Sequence, residues 1–232
     1  MDVTLKTVLQ YIAVFVALMI VLPAHEFAHA FMAVKWGDET PRVSGRYTLN
    51  PFAHFDLVGF LMLLIVHFGW AKPVPINPYN FRNIRKGYFW TSVAGVLTNI
   101  SLAFLMCPVL IIASELITEI NVFTLLLYYF LYFFVIININ LFVFNLIPVY
   151  PLDGFRVLEV MFKRPNKFLA FLRTKGYIVL LVLMLVHYLS TYSFLSFLSY
   201  VDVLGWLLST VTGGIFSGFE ALWNLILSPF LK

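Results

Sequence analysis

Apolar runs long enough to cross a bilayer recur along this chain, at 7–34, 88–113, 123–147, 177–198 and 201–231. A membrane helix needs about 20 apolar residues, because each adds about 1.5 Å against a hydrocarbon core about 30 Å thick. In that solvent an unpaired backbone group is costly, so a run of this kind folds as a helix that bonds internally. Composition agrees: 62% of the 232 residues are hydrophobic and 11% charged, against about 45–50% and about 25% in a soluble domain. The chain reads as an all-α polytopic membrane protein of about five to six transmembrane helices. It forms one membrane-embedded domain over 1–232, with a core at 7–160 and additional C-terminal helices at 177–231. Gly213-Gly214 interrupts the last run, which is then one broken helix or two shorter ones. No polar stretch is long enough for a separate soluble core. The first run lies where a signal peptide would, but it has no small-residue cleavage site with a polar exit, so it reads as a retained helix. Cys107, the single cysteine, excludes an intramolecular disulfide.

Charge orients these spans. Of the 15 Lys and Arg residues, all but Lys6 and Lys232 fall in three polar segments, 35–56, 71–87 and 154–176. The 114–122 loop carries only Glu115 and Glu119. Basic residues near span ends favour the cytoplasm, which places all three segments there. The same bias explains the net charge of +4 without an anionic partner, and nothing points to nucleic acid. A spanning 57–70 run would separate 35–56 from 71–87. That run has 14 residues, a length more often re-entrant or interfacial than spanning. It is expected to dip in and return, with a thin or tilted span as the alternative.

Inside the first span stands His25-Glu26-Phe27-Ala28-His29. Histidines at i and i+4 share one helical face, and both imidazoles reach one metal ion. Glu26 is adjacent for taking a proton from water activated by that metal. On the order of 0.003 such motifs are expected by chance in a chain of this composition. Ionisable residues within a membrane helix are costly and mark functional sites. The competing reading, a polar patch or proton relay, does not need this spacing.

Two histidines leave a zinc site incomplete. Asp153 is the leading third ligand, in Asn145-Leu146-Ile147-Pro148-Val149-Tyr150-Pro151-Leu152-Asp153-Gly154. Pro148 and Pro151 stop a regular helix and Gly154 allows a sharp turn. Broken backbone at membrane depth is tolerated inside protein or beside a water-filled cavity. The alternative is a helix-end aspartate in cytoplasmic water. The inferred topology favours ligation, because it puts both motifs at cytoplasmic span ends. His54 and Asp56 are rivals, better suited to supporting a turn. His67 and His187 read as packed or interfacial.

These residues together resemble the site-2 protease family of intramembrane zinc metalloproteases, peptidase family M50. The resemblance covers most of 20–160. It includes the segment 50–56, the motif Gly69-Trp70-Ala71-Lys72-Pro73-Val74-Pro75-Ile76-Asn77-Pro78, and Ala94-Gly95-Val96-Leu97-Thr98-Asn99. Gly95-Val96 departs from the family's frequent Gly-Pro. No room is seen for the PDZ or CBS domains that members often carry. The resemblance implies one Zn2+ ion held by His25, His29 and Asp153, with Glu26 as catalytic base. It implies cleavage of transmembrane protein or peptide substrates in the lipid bilayer; the chain is expected in the plasma membrane of a prokaryote, where the charge pattern puts the site towards the cytoplasm. Asn145 and Asn99 are candidates for stabilising the oxyanion, or else for interhelical hydrogen bonds. Residues beyond about 176 carry no recognisable motif.

A helical substrate hides its peptide bonds. Val43, Tyr47 and Leu49 alternate with polar residues across 42–49, a period of two that predicts a strand. A membrane-associated β element there would hold an extended substrate by main-chain pairing, or simply lie on the membrane surface. The runner-up function is a transporter or channel with an intramembrane metal or proton site, since broken helices serve that purpose too.

Overall fold

The computed structural model describes residues 2–59, 62, 69–162 and 166–229. Among the described residues, four helices are long and apolar enough to cross a membrane: α1 (Val3–Lys35), α4 (Ile84–Leu116), α5 (Val122–Asn145) and α7 (Lys167–Ser190). A fifth span arises if the 3₁₀ stretch Ser193–Val201 and helix α8 (Val203–Leu227), bent by 76°, count as one. The short helices α2 (Thr40–Val43), α3 (Pro51–His54) and α6 (Asp153–Met161) lie in the polar segments.

Helices α4, α5 and α7 begin where the sequence supplies an acceptor for their free N–H groups. Asn83 accepts from Lys86 N, Asn166 from Phe168 N, and Asn121 forms a reciprocal capping box with Thr124. Helices α1, α4 and α5 pack mutually. Ala17, Val21 and Phe134 form one contact layer. Ala103, Leu110, Leu131, Val135, Ile139 and Val143 form the larger one. Small residues on α1 (Ala13, Ala17, Ala30, Ala33) and α4 (Ala103) are buried and let the backbones approach, as packing between membrane helices requires. Helix α8 leans on this bundle through Phe219 and Trp223 against Phe104. Large apolar side chains left exposed, such as Phe15, Leu105 and Leu181, suit lipid rather than water.

The strand expected at 42–49 is absent: the described residues contain no strand. The alternation covers too few residues to prevail over stronger local signals. Pro41 opens the single turn of α2. Gly45 then takes φ +68°, and Arg46 turns inward. Its guanidinium donates to the carbonyls of Ala53 and Lys72, so 46 is buried rather than on a polar outer face. Of the 57–70 run, 60–61 and 63–68 lie outside the described residues. The described ends meet. A Cβ placed on Gly59 would stand 2.1 Å from the Trp70 carbonyl oxygen, and Lys72 N donates to His54 O at 2.8 Å.

Asp38 ties the loop after α1 to the loop before α4. It is 0% exposed. Its Oδ1 accepts from Thr40 N, Thr40 Oγ1 and Asn80 Nδ2, and its Oδ2 accepts from Asn77 N at 2.7 Å. Burial alone would raise its pKa, but the hydrogen bonds from Thr40, Asn77 and Asn80 hold it below the ordinary value of 3.8. A carboxyl depressed on folding stabilises the fold above its unfolded pKa and loses that effect as pH falls through the folded one. Asp38→Ala should therefore destabilise the fold in detergent at pH 7 by about 2–3 kcal/mol, read as a lower thermal midpoint. The gap between variant and wild type should close below about pH 4. A gap of equal size at all pH values would mean that the carboxylate charge is not what holds the loops.

Candidate metal centre

Helix α1 runs without a break through residues 25–29 and turns one face towards α4. Both histidines are on that face, 6% and 4% exposed, with ring centroids 4.7 Å apart. Gly95 of α4 lies opposite. A Cβ at that position would stand 2.5 Å from His25 Cε1 and from His29 Nε2, so only glycine lets the two helices meet around these rings. Asp153 arrives from the other side. α5 ends at Asn145, the 146–152 stretch forms turns, and Asp153 opens α6 at 6% exposure. That reversal is tight: a Cβ on Gly154 would lie 2.3 Å from the Leu146 carbonyl oxygen.

Three atoms converge. His25 Nε2 and His29 Nε2 are 3.0 Å apart. Asp153 Oδ2 lies 3.4 Å from the first and 3.1 Å from the second. Ligand atoms about 2.0–2.1 Å from a tetrahedral zinc stand about 3.3 Å apart, and this triangle matches. The electron pairs match as well. His29 Nδ1 donates to the Thr91 carbonyl at 2.7 Å, an atom that only accepts. When the ring is neutral, Nε2 is then its unprotonated nitrogen. His25 Nδ1 lies 2.5 Å from Asn99 Oδ1, which gives it the same tautomer. Two lone pairs and a carboxylate oxygen without a hydrogen-bond donor therefore face one point. Such an arrangement calls for a cation, and the nitrogen and oxygen donors suit zinc. Among the described residues, His25, His29 and Asp153 are the group of His, Cys, Asp or Glu that could hold a metal ion.

Glu26 stands next to this triangle and is half-buried. Its Oε2 accepts from Val74 N at 3.0 Å. Pro73 and Pro75 have no N–H, so Val74 supplies the one main-chain donor in that short run, and Glu26 takes it. The other candidates take separate roles. Asn99 bonds His25 rather than lining open space. Asn145 donates back to Leu141 O of its own helix. His54 is 2% exposed and contacts Thr48 O through Nε2, while Asp56 accepts from Gly59 N. His187 pairs with Asp202 at 2.8 Å, and His67 is outside the described residues.

Comparison with known proteins matches residues 13–189 to Peptidase family M50. The chain belongs to this family. The M50 match reaches past 176, where the sequence carries no motif, and so takes in α7. YwhC of Bacillus subtilis (strain 168), named as a candidate zinc metalloprotease, is 38% identical over 145 residues, 62% of this chain and 66% of YwhC. Rip2 of Mycobacterium tuberculosis, named likewise, is 32% identical over 161 residues, 65% of this chain and 59% of Rip2, in both the H37Rv and Erdman strains. The chain thus spans just under two thirds of the curated relatives it matches. No solved structure matches it.

Two contributors to this candidate site, the Thr91 carbonyl and the Val74 N–H, are main-chain groups and leave no side-chain signal in a sequence. Gly95 could have been singled out as a glycine within an apolar span. Gly95→Ala should weaken zinc binding about tenfold or more, read as zinc content after dialysis against a mild chelator, with helical content unchanged. Wild-type zinc retention would mean that the α1–α4 approach is looser than described.

Proposed function

We propose that this chain is a zinc-dependent intramembrane endopeptidase that cleaves transmembrane segments of membrane proteins. The observation that carries this reading is the triangle of His25 Nε2, His29 Nε2 and Asp153 Oδ2 with Glu26 beside it, in a chain of peptidase family M50. Zinc held by these three residues supplies Lewis acidity to the scissile carbonyl and to the attacking water.

The chain's own groups do the rest. Val74 N–H holds Glu26 Oε2, so proton transfer falls to Oε1. Glu26 takes a proton from the attacking water there and returns it to the leaving amine. His29 and His25 keep their Nδ1 protons engaged on Thr91 and Asn99, which leaves Nε2 free to ligate throughout. Low exposure of the three ligands keeps bulk water away.

The gathering of nearly all Lys and Arg residues in three segments between the apolar runs supports a cytoplasmic position for the site, in a prokaryotic plasma membrane. The meeting of Gly59 with Trp70 supports a chain that returns at Trp70 to the side it left at Gly59.

Glu26→Gln should keep zinc and lose about 10²–10⁴-fold in cleavage. Membrane-bound stubs should accumulate in the membrane proteome of cells carrying it. His25→Ala should lose the zinc. Cleavage by Glu26→Gln at the wild-type rate would remove the assigned base. Solute flux in reconstituted vesicles, with no peptide cleavage, would favour a transporter instead.

A further inference from the structure

An asparagine amide can present either its oxygen or its NH₂ to an imidazole, and the choice decides which ring nitrogen carries the proton. For His25 that choice is made deeper in the bundle. Asn138 Nδ2 donates to the main-chain carbonyl of Phe134 at 2.8 Å, one turn back on α5, and a carbonyl can only accept. Asn138 must then turn its Oδ1 towards α4, where it receives Asn99 Nδ2 at 2.8 Å. Asn99 is left with Oδ1 facing His25 Nδ1, which has to donate. Nε2 is consequently the unprotonated nitrogen, at the metal centre. Asn99 and Asn138 are each 0% exposed, so no bulk water competes for these bonds.

His29 needs no such chain, because its Nδ1 partner is itself a carbonyl. Asn140, two residues along α5, serves a different purpose: its Oδ1 accepts from Thr212 Oγ1 of α8 at 2.8 Å.

We propose that Asn138, acting through Asn99, locks His25 in the tautomer that binds zinc. Asn138 is thereby a positioning residue for metal affinity, on a third helix, with no bond to any of the three ligands. The inference rests on the zinc site proposed above. Removing Asn138 frees the Asn99 amide to turn over. Its NH₂ would then face His25 Nδ1, push the ring proton to Nε2 and abolish the lone pair needed for the metal.

The test measures zinc affinity by chelator competition on the full chain in detergent, with histidine tautomers read by NMR on zinc-free, nitrogen-15-histidine-labelled samples. Asn138→Leu should weaken zinc about 10–100-fold and shift His25 towards the Nε2–H form. Asn140→Leu, the same change two residues away, should leave affinity unchanged. Adding Asn99→Asp to Asn138→Leu should restore affinity, because a carboxylate only accepts and needs no partner to orient it. Equal losses in Asn138→Leu and Asn140→Leu without rescue would reduce Asn138 to packing and overturn the proposal, as would wild-type affinity in Asn138→Leu. A wild-type chain that binds no zinc would instead retire the metal site itself.

Discussion

Three acceptor atoms facing one point inside an apolar bundle form an arrangement that repels itself unless a cation joins it. The surrounding architecture is arranged around that convergence. α1 brings two imidazoles by helical spacing alone. The carboxylate comes from a chain that has left its helix at Asn145 and restarted at Asp153. Gly95 and Gly154 are where the backbones come too close for a side chain. Each ring is held by its second nitrogen, one on a carbonyl and one on an amide. Metal ligands generally need such outer partners for orientation and basicity.

A second layer of polar bonds fixes the chain outside the long helices. Asp38 gathers the loop after α1 and the loop before α4. Arg46 joins the 46–54 stretch to Lys72. These contacts position the run that delivers Val74 N–H to Glu26. The proposed base is therefore oriented by main chain rather than by another side chain, and its support depends on loops that the buried Asp38 holds in register.

The helical frame was legible because membrane spans announce themselves by length and apolarity, while the caps Asn83, Asn121 and Asn166, the first and last of which start α4 and α7 ahead of their apolar runs, emerge only from the structure. His25, Glu26 and His29 were legible because their spacing on a helix has one geometric consequence. Asp153 needed the prolines that break its helix. The 42–49 segment misled because alternation over so short a stretch competes with Pro41, with Gly45 at positive φ and with an arginine that finds carbonyls to bond. Asn99 and Asn145 looked alike as polar residues in apolar spans. Only packing separates them, since one faces His25 and the other its own helix.

The proposed zinc site is built from two imidazoles and one carboxylate. X-ray absorption at the zinc edge of the purified, active chain reads those ligands without a crystal. A nitrogen and oxygen shell at about 2.0–2.1 Å with scattering from two imidazoles is expected. A sulfur shell at about 2.3 Å, or scattering from three or more imidazoles, would place the metal on other residues and contradict this site.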